Sequence, residues 1–356
     1  MQKLKMDDIC KLLFTWYDKH KRNLPWRSTR VPYYIWISEV ILQQTRVAQG
    51  HDYFVRFIER FPTVEALAAA PEDEVMRMWQ GLGYYSRARN LHAAAKQIVD
   101  MGGFPKTYDA IRQLKGVGDY TAAAIASFAF DEPKAAVDGN VCRVWSRVFG
   151  VEAPIDSVQG KRMITEITQT LLPVAQAAKY NQAVMEFGAL QCTPHSPNCA
   201  ECPLADKCVA LAKQMVGVLP AKSHKTKVVP RYLNYLYIHT SDGLLLHKRT
   251  GSDIWQNMYE LPLIETDAPM DADALFLCPE FKAWQEIMPL YAYRGVVSGV
   301  KHVLSHRVLH AVFHEFEVDG TMPCPDGYVS VPYASLNSYA LPRLIDRYLE
   351  MKLNEG

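Results

Sequence analysis

Four cysteines stand within seventeen residues: Cys192, then six residues, Cys199, two residues, Cys202, five residues, and Cys208. This array constrains the chain more than any hydrophobic pattern does. Four soft anionic sulfurs close either on a tetrahedral zinc or on the corners of an iron–sulfur cube, and either one ties the backbone into a compact loop. Structural zinc sites usually supply paired Cys-x-x-Cys knuckles, whereas this array has one knuckle and two longer spans, so spacing alone leaves both metals open. The other four of the eight cysteines, Cys10, Cys142, Cys278 and Cys324, are scattered and read as small buried hydrophobes. Eight are too few for a disulfide scaffold in 356 residues, and the clustering points to metal in a reducing compartment.

A chain of this length exceeds the roughly 250 to 300 residues at which single cores stop growing, so two domains are expected. The formal charge of +1 conceals an asymmetry: residues 1–230 carry 29 Lys and Arg against 22 Asp and Glu, and residues 231–356 carry 10 against 16. Such a split suggests a nucleic-acid-facing module joined to something different. The start, MQKLKMDDIC, has no apolar signal region, and the longest apolar stretch, Ala122 to Phe130, is well short of the roughly 18 residues a spanning helix requires. The expectation is a cytoplasmic protein with no membrane partner.

Up to about residue 216 the apolar spacing is helical, in segments such as 7–20, 33–47, 64–70, 73–80, 86–99, 120–129 and 163–172, punctuated by Pro and Gly. This describes an all-α domain over 1–216. The stretch GVLPAKSHKTKVVPR, 217–231, is basic, bounded by Pro and without apolar period, and reads as a linker. Beyond it the pattern alternates. YLNYLYIHT and GLLLHKR flank Ser241-Asp242-Gly243 as a hairpin, and VLHAVFHEFEV continues in strand-like fashion, so residues 232–356 should form an α+β domain.

Leu114-Lys115-Gly116-Val117-Gly118 precedes the small-residue helix TAAAIASFAF. Gly116 and Gly118 allow a tight turn that points amide N–H groups outward, and the helix N-terminus adds positive potential, so a phosphate can dock there. Downstream, Asp138 opens a helix around Val141–Val148 and suits an N-cap, where N–H donors would hold it ionised and fit to stabilise a cationic sugar. Glu39 lies on a helix beside Ile35, Trp36 and Leu42. Burial there should raise its pKa and make it a proton donor, unless it is salt-bridged to Arg27 or Arg30. Two carboxylates in opposed environments are the acid and stabiliser pair of glycoside cleavage.

LPWR at 24–27, PYYIWISEVILQQTRV at 32–47, WQGLGYYSRARNLH at 79–92, LKGVG at 114–118, VDGN at 137–140, NQAVMEFGALQC at 181–192 and the cysteine spacing together resemble the adenine DNA glycosylases of the MutY type, within the endonuclease-III-like helix-hairpin-helix superfamily. The resemblance runs over essentially the whole chain. It implies an all-α helix-hairpin-helix catalytic region with a four-iron four-sulfur cluster on Cys192, Cys199, Cys202 and Cys208, followed by a Nudix-like domain that recognises 8-oxoguanine. It implies removal of adenine opposite 8-oxoguanine or guanine in double-stranded DNA by base flipping, with the chain acting as a monomer.

Carried over residue by residue, Glu39 protonates the adenine, Asp138 stabilises the oxocarbenium sugar, and Tyr120 and Asn140 orient Asp138 and the sugar. Bifunctional relatives for oxidised pyrimidines carry a Schiff-base Lys where this chain has Tyr120, so a monofunctional enzyme is expected. Arg27 and Glu186 match positions near the flipped adenine, Gln44 and Tyr84 those that enter the base stack, and Ser305 and His306 those that hydrogen-bond the lesion, with Leu304 where the family has Phe. Lys301, His302, His306 and Arg307 are expected to make the DNA side of the acidic domain locally positive. No REx₂EExG helix is present, which opposes a hydrolase in that domain. A non-catalytic DNA-binding iron–sulfur protein remains the alternative if Asp138 is only a cap and Glu39 only half of an ion pair.

Overall fold

The computed structural model describes residues 2–223, 228–241, 243–288, 290–320 and 322–354. The Asp242 of the expected hairpin turn, and residues 224–227 of the expected linker, lie outside them. The chain divides into two compact units, Met1–Ala69 with Asn90–His224, and Ala70–Arg89 with Lys225–Gly356.

The first unit is helical. Its elements are α1 (Gln2–His20), α2 (Pro32–Ile41), α3 (Val47–Arg60) and α4 (Val64–Ala69); α5 (Glu72–Met78) belongs to the other unit, and α6 (Ser86–Asp100) runs across the boundary between the two segments. Then follow α7 (Tyr108–Arg112), α8 (Asp119–Phe130), α9 (Gly139–Phe149), α10 (Val158–Leu171), α11 (Ala177–Leu190) and the one-turn α12 (Val209–Ala212). α8 is buried from Thr121 to Phe128. Its alanines leave little side chain between backbones, so α2, α7 and α11 all pack on it. A second core gathers α1, α9, α10 and α11 around Trp16, Trp145, Tyr180 and Phe187.

The sequence pattern suggests one helix over 33–47, but α2 ends at Ile41 and α3 starts at Val47. The break comes where Gln44 adopts a left-handed φ of 58°, a conformation no L-residue helix tolerates. No helix of the described residues is long and apolar enough to cross a membrane.

The second unit is built on a mixed sheet. β1 (Val229–His239), β2 (Leu244–Lys248), β3 (Tyr259–Glu260), β4 (Leu263–Thr266), β5 (Tyr291–Val303), β6 (Arg307–Val318) and β7 (Tyr328–Val331) give the order β3-β2-β1-β6-β5, with β4 pairing on β1 and β7 on β2. β1 and β6 run parallel through eleven residue pairs, from Val229 opposite Arg307 to His239 opposite Glu317; the other pairings are antiparallel. β1 and β2 form the expected hairpin, closed by Thr240 N–H donating to the Gly243 carbonyl at 3.2 Å. Gly243 is obligatory: its φ is 145°, and a Cβ would lie 2.0 Å from the Val331 carbonyl oxygen. α13 (Ala272–Leu277) and α14 (Pro279–Ile287) cover one apolar face through Leu275, Phe281 and Trp284, and α15 (Arg343–Asn354) stacks Tyr348 on Phe313 with centroids 3.9 Å apart. Residues 70–89 join this unit through polar contacts, among them Lys248 Nζ to Asp73 at 2.6 Å and Arg89 Nη1 to the Gln256 carbonyl at 2.7 Å.

Candidate active site and cysteine loop

A cleft of about 1820 Å³ opens in the helical unit, and Arg27, Glu39, Gln44, Gly116, Gly118, Tyr120, Asp138, Asn140 and Glu186 all border it. Nine residues singled out from the sequence therefore meet around one space, although they come from positions 27 to 186.

Each is placed by a local rule. Pro32 starts α2, since its fixed φ suits a first helical turn. Glu39 then falls on the cleft side while its neighbours Trp36, Ile37 and Ser38 are buried. The Tyr120 hydroxyl, on the first turn of α8, donates to Glu39 Oε2 at 2.5 Å and lies 3.9 Å from Met185 Sδ. Arg27 and Arg30 bind other carboxylates, so the alternative of a salt-bridged Glu39 is not what forms. Burial pushes the Glu39 carboxyl up, the Tyr120 hydrogen bond and the Arg27 charge pull it down, and the Asp138 charge pushes it up again, leaving it at about 7. It can therefore hold a proton near neutrality and release it.

Asp138 caps α9 as its position suggests: one oxygen accepts from Val141 N–H at 2.8 Å and the other from Asn140 Nδ2 at 2.7 Å. The expected depression of its pKa is not found. Burial raises it, and the N–H donors of Val141 and Asn140 oppose that rise without cancelling it. The contrast between the two carboxylates thus lies in their donors, one phenol for Glu39 against an amide N–H and a carboxamide for Asp138.

Three arginines that carry no motif brace the cleft and the cysteine loop: Arg22 and Arg143 border the former and Arg147 the latter. Arg143 sits one turn beyond Asn140, donates to Asn140 Oδ1 at 2.7 Å, and donates from the same group to the Gly188 carbonyl at 2.6 Å; its Nε reaches the Cys192 carbonyl at 2.8 Å. Arg147, buried on the same face of α9, donates to the carbonyls of Leu219, Thr193 and Pro194 and, at 3.4 Å, to Cys192 Sγ. The only sequence signal for this pair is their i, i+4 spacing behind Asn140. Arg22, the third, grips Glu186 through its backbone N–H at 2.8 Å and its guanidinium at 2.9 and 2.6 Å, while Arg27 grips the same carboxylate at 2.9 and 2.7 Å. Burial raises the Glu186 carboxyl, but the hydrogen bonds from Arg27 and Arg22 outweigh it and hold the group at about 2.

The hairpin between α7 and α8 borders the same cleft. Gly116 has a φ of 74°, and a Cβ there would lie 2.5 Å from Asn90 Cβ; Gly118 is the α8 N-cap with no side-chain cap and open space around it. The first N–H groups of α8 are therefore presented bare, a favourable seat for an anionic oxygen.

Cys192, Cys199, Cys202 and Cys208 line a second, smaller cavity with Arg147, Phe187 and Leu204. Burial pushes the Cys202 thiol up to about 11 and the Cys208 thiol upward, and the charges of the neighbouring cysteines add to both. Among the described residues no group of three or more His, Cys, Asp or Glu side chains is already arranged to hold a metal ion.

Tyr84, Ser305 and His306 belong to the other unit and not to the cleft. Tyr84 is exposed, holds a left-handed φ of 48°, and its hydroxyl meets Ser305 Oγ. Leu304, Ser305 and His306 form the turn between β5 and β6, closed by Leu304 N–H donating to the Arg307 carbonyl at 2.8 Å. His302 contributes less positive charge than expected: it stands against Trp255, and burial followed by the Arg347 charge pulls its pKa down.

Residues 37–173 match the HhH-GPD superfamily of base excision DNA repair proteins, and residues 234–351 match the NUDIX domain. The adenine DNA glycosylase of Mus musculus is 44% identical over 220 residues, which is 59% of this chain and 43% of the mouse protein, so the chain spans less than half of that relative. The adenine DNA glycosylase of Buchnera aphidicola subsp. Acyrthosiphon pisum (strain APS) is 33% identical over 303 residues, 84% of this chain and 83% of the relative. Among solved structures, a thermostable thymine-DNA glycosylase aligns with a TM-score of 0.55 and 30% identity over 60% of this chain and 99% of its own. A trapped endonuclease III–DNA covalent intermediate aligns at 0.53 and 26% over the same shares.

Proposed function

Since the chain belongs to the adenine DNA glycosylase family, we propose that it hydrolyses the N-glycosidic bond of adenine mispaired with 8-oxoguanine or guanine in duplex DNA. The observation that carries this is the pair of carboxylates on one cleft with unequal donors. An adenine inside the duplex is out of reach, so the nucleotide must be flipped into the cleft. Gln44, on its left-handed turn at the cleft edge, is the residue we assign to the vacated stack on this unit, and Tyr84 on the other.

Tyr120 occupies Glu39 Oε2, which leaves Oε1 to carry the proton toward the adenine base. Protonation lets the base leave neutral, and positive charge develops on the sugar. Asp138, fixed in orientation by Val141 N–H and Asn140, supplies the opposing negative charge. Water then completes hydrolysis. Tyr120 offers a buried phenol in place of an amine, which supports base removal without strand cleavage. The Nudix-like unit, with Ser305 and His306 at its β5–β6 turn, is assigned to reading the opposite base.

The donor set of the cysteine loop fits a four-iron four-sulfur cluster on Cys192, Cys199, Cys202 and Cys208. The four thiols line one small cavity together, and four soft anionic sulfurs are the donor set that such a cluster takes. When bound, the cluster would supply cross-linking of the 192–208 loop. Arg147 would balance its negative charge at Cys192.

The test is a labelled duplex with adenine opposite 8-oxoguanine, incubated with the protein and resolved with and without hot alkali. Alkali-dependent scission at the adenine supports the reading; scission without alkali shows a lyase, and an intact strand under both conditions refutes it. Iron content and visible absorption of the purified protein test the cluster, which a colourless zinc-containing preparation would exclude.

A further inference from the structure

Residues 131–138 carry the chain from the end of α8 to Asp138 and belong to no helix or strand, so their backbone groups must find partners elsewhere. The upstream end is held where Glu132 Oε2 accepts from Tyr108 N–H at 2.6 Å. In the middle, two carboxamides each accept one backbone N–H and donate to one backbone carbonyl. Gln169 of α10 accepts from Ala135 N–H at 3.0 Å and donates to the Pro133 carbonyl at 2.9 Å. Asn181 of α11 accepts from Ala136 N–H at 3.1 Å and donates to the Lys134 carbonyl at 2.8 Å. The contacts alternate residue by residue, as the two edges of an extended segment require. Asn181 is only 1% exposed, and its second N–H goes to the buried Ser127 Oγ at 2.9 Å, so which end of the amide faces which backbone group is fixed. Gln169 is exposed, and water competes for its contacts.

We propose that Asn181, assisted by Gln169, is a positioning residue for excision: its carboxamide sets the path of the segment that delivers Asp138 to the cleft. The inference rests on the assignment of Asp138 as the group that stabilises the sugar. The Asn181 contacts end at Ala136, two residues before the carboxylate, and Ala135 and Val137 themselves border the cleft. Asp138 is then held by Val141 N–H and by Asn140, both within α9. Those contacts orient the carboxylate on its own helix, whereas Asn181 and Gln169 tie the chain that enters α9 to α11 and α10. Asn181 itself touches no reacting atom. Stabilising a developing charge depends on where the opposing charge stands, and a misplacement of about 1 Å can cost about 100-fold in rate.

The test is single-turnover excision from the adenine:8-oxoguanine duplex with the full chain, read as two quantities: the rate constant, and the amplitude that counts active molecules. In Asn181→Ala the rate constant should fall by about 10- to 100-fold while duplex Kd keeps its parental value, and in Gln169→Ala it should fall by a smaller factor. A role confined to stability would lower the amplitude and leave the rate constant untouched, and that outcome overturns the inference, as does a loss that appears in Kd alone. Gln169 lies on the surface, so its variant decides the matter if Asn181→Ala fails to fold: a reduced rate constant supports the inference and a parental one overturns it. The same substitutions in an Asp138→Asn background separate this inference from the assignment beneath it. Amides that act through the Asp138 charge should cost little more there, because the charge they place is already gone; an equal fold loss in both backgrounds overturns the inference. A parental rate constant in Asp138→Asn alone refutes the assignment of Asp138 instead.

Discussion

Asp138 performs two tasks that substitution can separate. As a cap it accepts from Val141 N–H, and Asn can do the same at nearly equal cost. Asp138→Asn should therefore melt close to the parent while excision falls by roughly 10²- to 10³-fold, the scale on which loss of a charge-stabilising group is felt; thermal melts and single-turnover rates check both halves. Glu39 shows the opposite tension. Its carboxyl is raised from an ordinary 4.5 to about 7 in the folded protein, so folding binds a proton and stability declines as pH rises from about 4.5 through about 7. Glu39→Gln removes that penalty. We expect it to be inactive yet more stable at pH 8, by an amount whose upper bound is about 3 kcal/mol, with the gain shrinking toward pH 4.

At the scale of elements, the hairpin before α8 makes two glycines do different work. Gly116→Ala meets both a left-handed φ and the Asn90 side chain, and should cost about 1–3 kcal/mol. Gly118→Ala has φ −90° and free space, so it should fold normally and weaken duplex binding only by crowding the α8 N-terminus; melting temperature and Kd distinguish the two. α9 ties the cleft to the cysteine loop through Arg143 and Arg147. Arg147→Met leaves three carbonyls without their donor and should lower the iron retained per chain, measurable by metal analysis.

The sequence made the glycines, Glu39, Asp138 and the cysteines legible because each sits in a spaced pattern with a chemical meaning. Arg22, Arg143 and Arg147 escaped because most of their partners are backbone carbonyls or residues far along the chain, which no local period reveals. The end of α2 at Ile41 escaped because Gln44 gives no sign of a left-handed turn, and the rise of the Asp138 pKa escaped because burial is a tertiary quantity.

For the whole molecule, the near-zero charge divides into a basic stretch that holds the cleft, the hairpin and the cysteine loop, and an acidic stretch that holds the mixed sheet. Duplex binding should accordingly weaken with salt through the first unit. Replacing Lys115, in the hairpin before α8, or Lys161, which borders the cleft from α10, by Gln should each reduce the slope of log Kd against log salt by about one, while comparable changes on the sheet leave the slope nearly unchanged. Base removal requires both carboxylates, Glu39 and Asp138, at once. The direct measurement is free adenine, separated by chromatography after a single turnover on a duplex carrying adenine opposite 8-oxoguanine. The parent chain should release one adenine per site, and Glu39→Gln and Asp138→Asn, both folded, should release almost none. Adenine released at the parental rate by either variant would contradict it.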